Sequence, residues 1–521
     1  MKKNIIKSFI LLLCTLLVAA CGGNKVAQDA YLNVIPGDAM VVSKVEIGNL
    51  LKKSDIQNNT FVKLGVENYI AELPKKQHSL LKEIFENPAA SGLDVNVPVY
   101  LAVLNLETVQ VVVTAKMGNA STFENTVSTF FEDEFESKEK DGMTCLTPAD
   151  EDFYTSAGEP TIEIAYDADK VLIVLDEGGA DLQSYITLAD SKRAVNDKKF
   201  AQLFKSAEDV AYVINYAPLV GYMIENNLVE RELLPLVAMA KDNVAFCSLD
   251  FKNGCAELKS SQELPAEFRE LFGTVAKKST RRHFDYIPEK SFALVGYNFN
   301  LLQLFDVLEA VGLQKELAKS GVSKDVLKDL LVALSGDYTL AAWANGEDVE
   351  DMQLMLAVDC SDRSLFDLLI AYAQFDLGTT MVDEDVYSLD LSDYYLMYKD
   401  NSIMVMPENL YNKVCVKGKL QPLKKNLKSN ELFAAAKNDI VVDFKPVREM
   451  LVEYISYNAN SNPQDDALLI DLLNTIDNMT IDTNIDNACF RVNTANENVN
   501  SLKFIVDKLI SSAVRNSLIE R

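Results

Sequence analysis

Apolar and polar positions alternate in short runs along this chain, and the runs are separated by stretches of helical spacing. Val244 to Phe251 alternates, Asn253-Gly254 interrupts, and Cys255 to Ser261 resumes the period. Asn-Gly between two alternating runs is a strong hairpin signal, and in register it pairs Cys255 with Lys252. Thr122 to Phe131 and Ser364 to Phe375 space their apolar residues for helices that follow hairpins. Shorter apolar strands start near Met40, Val210, Phe292 and Ile440, and each passes directly into a helix. Pro218 and Pro446 fall where a helix's first turn has no N–H bond to lose. The pattern predicts an α+β fold with mainly antiparallel sheets covered by helices.

The pattern is also written twice. Tyr31-Leu-Asn-Val-Ile-Pro36 recurs as His283-Phe-Asp-Tyr-Ile-Pro288, and Tyr100 to Val103 finds a partner in Tyr338 to Ala342. Ile164 to Val174 matches Leu396 to Met406 without a gap, and Tyr212 to Pro218 matches Ile440 to Pro446. The Asn253-Gly254 turn corresponds to Asp486-Asn487. Ordered recurrence of this kind predicts two homologous halves, 31–280 and 281–521, each a strand-helix-hairpin-helix unit used twice.

Residues 1–20 break the pattern. Lys2, Lys3 and Lys7 precede an apolar run from Phe9 to Ala20, too short to span a membrane. Leu17-Val-Ala-Ala-Cys21 resembles a bacterial lipobox, which implies cleavage before Cys21 and its acylation. Residues 21–30 then read as a polar tether. More than one acyl chain holds a protein stably to a membrane, where a single chain is marginal. No acidic run follows Cys21, so the periplasmic face of the outer membrane is the expected location.

Composition narrows the partners. The net charge is −27, and loss of three lysines with residues 1–20 makes it −30. That opposes nucleic-acid binding and adhesion to anionic lipid, so the anchor must supply the membrane affinity. Six cysteines remain after Cys14 and Cys21 are set aside, with no C-x-x-C, and they read as buried thiols. Two histidines, His78 and His283, cannot readily build a transition-metal site, so no cofactor is expected.

Chemistry is sparse. Ser79–Lys82 and Ser137–Lys140 lack the companion motifs of acylating serine enzymes. Asp482-x-Asn484-x-Asp486 has the oxygen spacing of a calcium loop but no glycine at position six, and it reads as a turn. Acid clusters at Glu132–Glu136, Asp150–Asp152 and Asp383–Asp385 read as solvated loop charge. Arg281, Arg282 and His283 form the one basic knot; they could meet an acidic ligand or dock one half on the other. An exposed linker offsetting the surrounding acid is the plainer reading. Trp343 is expected in the sheet.

The Ile-Pro strand opening into Ile47-Gly-Asn-Leu-Leu51, with the lipobox and doubled layout, resembles a Bacteroidota lipoprotein family of unknown function. The resemblance implies a location and a layout, and no catalytic residue. The expectation is a non-enzymatic, lipid-anchored envelope protein that binds or scaffolds a protein or glycan. A hydrolase of glycans or peptides with paired carboxylates, or a glycan- or peptide-binding accessory lipoprotein, are the alternatives.

Overall fold

A computed structural model describes residues 30–519 apart from 107–109, 132–134, 149–160, 177–181, 274, 311–322, 347, 377, 390–392, 436–438 and 458–462. The leader, the tether and Cys21 lie outside the described residues, as do Glu132 to Glu134 and Asp150 to Asp152. Contacts divide the chain into two units. One comprises residues 1–225, 241–263 and 496–521; the other takes 226–240 and 264–495.

Among the described residues the first unit holds ten antiparallel strands. They are β1 (Val41–Val45), β2 (Val99–Asn105), β3 (Gln110–Lys116), β4 (Phe135–Lys140) and β5 (Met143–Pro148). They continue as β6 (Thr161–Tyr166), β7 (Lys170–Asp176), β8 (Val210–Asn215), β9 (Val244–Lys252) and β10 (Cys255–Glu263). Their spatial order is β4-β5-β6-β7-β3-β2-β1-β8-β9-β10. Alternation in Val41-Val-Ser-Lys-Val45 buries every second residue on one face, as a period of two requires. The β9–β10 turn has Cys255 opposite Lys252. Gly254 sits at φ +68 there, and a Cβ would meet the Glu497 backbone at 2.7 Å, so only glycine fits.

In the second unit β11 (Ala276–Lys278) lies beside β12 (Ala293–Phe299), followed by β13 (Gly336–Ala344), β14 (Met352–Asp359) and β15 (Thr379–Asp383). Next come β16 (Val386–Leu389), β17 (Tyr394–Lys399) and β18 (Ser402–Pro407), then the short pair β19 (Cys415–Val416) and β20 (Lys419–Leu420). The set closes with β21 (Ile440–Asp443), β22 (Ile476–Thr483) and β23 (Asn487–Thr494). Its main order is β15-β16-β17-β18-β14-β13-β12-β21-β22-β23, all antiparallel. Neighbour by neighbour, that is the order of the first unit.

The Ile-Pro signature has a structural meaning in both units. Ile35 and Ile287 are buried at the end of a 3-10 helix, and each carbonyl accepts an N–H from a distant loop, Ala194 at 2.8 Å and Leu427 at 2.9 Å. Pro36 and Pro288 follow as isolated bridges to Arg193 and Asn426. One sequence pairing shifts by a residue. The ladders place Ala102 opposite Val42 and Ala341 opposite Leu294, which equates Tyr100 with Thr339 and not Tyr338.

The helices lie where the periodicity puts them, at Ala120–Phe131 and Arg363–Asp376. Pro218 is inside the first turn of Tyr216–Glu225, but Pro446 precedes Arg448–Tyr457. Asp443 accepts the Lys445 N–H at 3.1 Å and makes a turn that delays that helix. Trp343 is buried and its indole N–H donates to Gln353. The six described cysteines are free thiols. The helix Ser501–Ile519 belongs to the first unit, where Ser501 donates to Cys255 O and Asn500 to Phe251 O.

Candidate functional site

The basic knot is not a linker. His283 is 1 % exposed inside the 3-10 helix Arg282–Tyr286. Its Nδ1 lies 3.2 Å from Thr339 Oγ1, and its Nε2 is 3.1 Å from Ser402 Oγ and 3.3 Å from Asp359 Oδ1. Arg282, at the surface, ion-pairs with Asp359 at 3.0 Å and donates to Asp400 O. Burial pushes the Asp359 carboxyl up, but His283, the Asp337 N–H and Arg282 together hold it below the usual carboxylate range.

Serine, histidine and aspartate in one cluster invite comparison with a nucleophilic triad, and the geometry refuses it. In such machinery the acid and the serine take opposite ring nitrogens. Here both meet Nε2, and Ser402 Oγ itself lies 3.3 Å from Asp359. Ser402 is fully buried, out of reach of any substrate. The cluster ties β13, β14 and β18 to the 3-10 helix, a role that asks only for satisfied buried polar groups.

Arg281 faces the other way. At φ +62 it lines a cleft of about 200 Å³ with Lys278, Ser279, Phe284, Gly296, Asp439, Asp482 and Asn484. Lys278 bridges both Asp439 oxygens, at 3.1 and 3.0 Å, and Asp482. Burial pulls on the Lys278 ammonium, yet those two carboxylates hold it above its ordinary range. Asp439 also receives the Thr483 N–H and hydroxyl, at 2.6 and 2.7 Å. The Asp482-x-Asn484-x-Asp486 segment, read from sequence as a turn, lies in the same corner. Asn484 accepts the N–H groups of Asp486 and Asn487, Asp482 goes to Lys278, and Asp486 pairs with Arg269.

This lysine between two aspartates was not anticipated from sequence, and it occurs in both units. In the first, Lys53 bridges Asp209 at 2.6 Å and Asp250 at 2.8 Å, and Asp209 accepts the Phe251 N–H. Each buried aspartate stands one residue before a strand, β8 or β21. Its mate stands one past the residue opposite that strand's start, Leu249 or Ile481. The signal available was Asp-[Val/Ile] and [Leu/Ile]-Asp at matching ends, but the lysine comes from unrelated elements, which no alignment of strands could supply.

The sheet faces differ more than the polar corners. In the second unit one aliphatic row crosses eight strands: Leu396, Val405, Leu356, Leu340, Val295, Ile440, Ile481 and Phe490 are successive cross-strand partners. Cross-strand partners point to one face. The helix Arg363–Asp376 covers the Leu396 end through Phe366 and Ile370. Beyond it the row opens: Leu356 and Leu340 are each 42 % exposed, and Leu354, on the same face, is 50 % exposed. In the first unit the row runs Ile164, Ile173, Val113, Leu101, Ser43, Tyr212. There Val113, opposite number of Leu356, is 3 % exposed and packs with Ile47, Phe123 and Phe131.

Among known families, the one described as a domain of unknown function (DUF4836) matches residues 31–441. No curated protein matches. Solved structures of TP0453 are similar in part. Its crystal form IV is 14% identical, covering 48% of this chain and 86% of that one with a TM-score of 0.26. Form I is 13% identical, with 46% and 81% covered and a TM-score of 0.27.

Proposed function

The chain belongs to the DUF4836 family, and from that premise we propose that it is a lipid-anchored cell-envelope protein that binds a partner and catalyses no reaction. The observation that carries binding is the open aliphatic row at Leu340, Leu354 and Leu356 in the second unit. Contiguous exposed apolar surface of this kind marks interaction sites. The anchor is read from Leu17-Val-Ala-Ala-Cys21, and the lack of an acidic run after Cys21 favours the periplasmic face of the outer membrane. The two halves, 31–280 and 281–521, are read as copies of one ancestral unit; the shared order of strand neighbours supports this. After duplication, one copy kept a covered sheet and the other is free to meet a partner.

Two experiments test the proposal. An alkyne fatty acid should label the wild-type protein and not Cys21→Ser; equal labelling overturns the anchor. A photoreactive residue at Leu340 should give a discrete adduct in intact cells, lost when Leu356→Gln is added. No adduct, or one indifferent to Leu356→Gln, overturns binding through this face.

A further inference from the structure

We infer that the occupant of the open face is a basic amphipathic helix, a polypeptide segment with a leucine-type stripe on one side and lysines or arginines on the other. This rests on the reading of the second unit as a binding surface, and it names the partner's chemistry.

Three observations converge. The first is the twin surface. Where the first unit has the equivalent row, its cover is helical and apolar, with Ile47 at the start of helix Ile47–Ser54 and Phe123 and Phe131 on helix Ala120–Phe131. A sheet face of this shape therefore accepts helices, and in the second unit the helix Arg363–Asp376 already covers one end of it. The second is the exposed floor itself among the described residues. Leu354 and Leu356 on β14 and Leu340 on β13 form an exposed floor beside that helix. An apolar floor beside a helical wall is the kind of groove into which an amphipathic helix lays its apolar face. The third is charge. Residues 301–400, which carry this floor and its helical wall, contain 20 acidic side chains against 6 Lys and Arg. Asp348, Glu350 and Asp351 stand exposed at the β13–β14 connection, the end of the floor. Acidic charge at the end of an apolar floor, on a strongly acidic stretch of chain, steers a cationic partner and repels anionic lipid and a second acidic copy of this chain.

The test uses the full mature chain with Cys21→Ser and three synthetic 18-residue peptides. One is Leu/Lys with the leucines on one helical stripe, one is Leu/Glu with the same stripe, and one is Leu/Lys with the stripe scrambled. The striped Leu/Lys peptide should bind at least ten-fold tighter than the other two, and Leu340→Gln with Leu356→Gln should remove most of that advantage. Equal binding of the Leu/Glu peptide overturns the basic partner while leaving the binding face intact. Equal binding of the scrambled peptide shows unspecific attraction and overturns the helix. Binding to none, or dimerisation or vesicle binding abolished by the same two substitutions, assigns the face to another occupant and overturns the inference. Because both substituted side chains are already exposed, the variants should fold, and their circular dichroism should match the wild type.

Discussion

The two units arrange their strands alike and fill the space around them differently. In the first, both faces of the sheet are built over. One carries the cluster around Tyr31, Val42, Leu172 and Phe200, and the other a cluster of fourteen buried residues from Ile47 to Ile173. In the second, the face toward Leu294, Met355 and Met404 is as full, while on the opposite face Phe366, Ile370 and Leu396 form a small buried cluster among the described residues. Among the described residues, fifteen of the twenty-one exposed large apolar side chains lie on the second unit. Strand order therefore follows from the turn and ladder pattern, while the cover on each face is a separate choice made by the connecting helices.

The comparison breaks most visibly at the covered face. Phe123→Ala should cost about 4 kcal/mol, since it removes a buried ring and leaves a cavity. The ring packs on Tyr166 with centroids 5.2 Å apart, so collapse around the gap is limited. Urea unfolding followed by hydrogen exchange on peptides of the first unit measures it. A cost under 1 kcal/mol would mean this face is no better packed than the open one.

A second contrast lies at one ladder position. Lys44 is 2 % exposed, pairs with Glu46 at 2.7 Å and donates to Ser206 O; its counterpart, on the strand opposite Thr339, is Gly296. Lys44→Ala should cost about 3 kcal/mol because it strands the Glu46 charge in a buried site. Gly296→Ala should be neutral or stabilise by about 0.5 kcal/mol, as its Cβ would meet Ser279 at an ordinary 3.6 Å and the unfolded chain loses freedom. Like-signed effects of similar size would show that the two positions do not differ in this way.

How far the sequence discloses this can be argued residue by residue. Period-two runs and Asn253-Gly254 reveal strands and hairpins because side-chain direction and turn geometry are local properties. The Ile-Pro marks are legible for the same reason. Illegible were burial of His283, which depends on Thr339, Ser402 and Asp359 arriving from three strands, and the Lys278–Asp439–Asp482 bridge, assembled across 204 residues. Least legible was the open face. Alternation puts Leu340, Leu356 and Val113 alike on one face of a strand, and only the placement of helices separates exposed from covered. The ladders equate Tyr100 with Thr339 and not Tyr338, and one residue's shift inverts the face it implies.

The more lightly covered second unit leans on ion pairs that respond to acid. Asp477 receives Lys445 at 2.8 Å and Arg448 at 2.7 Å, and although burial opposes it, these partners hold its carboxyl below the usual range. A carboxyl depressed in the folded state contributes stability above its unfolded value of about 4, and loses it as pH falls through the folded value. Asp477→Asn should therefore cost about 2 kcal/mol at pH 7, with the gap from wild type closing below about pH 4. Urea midpoints at several pH values give the test, and a gap that persists or widens in acid would rule the ion pair out as its cause.

The smallest effect is the most discriminating. Leu356→Gln should change stability by less than about 0.5 kcal/mol, because a side chain already 42 % exposed has little burial to lose and a surface change away from special features is nearly neutral. The same substitution at Val113, its covered counterpart, places an amide among Ile47, Phe123 and Phe131 without a partner and should unfold that region. The pair thus separates position in the sheet from cover over the sheet, since the two residues share a ladder place and differ only in what lies above them. A cost at Leu356 approaching that at Val113 would mean the open face is packed in solution, and the asymmetry between the units would vanish with it.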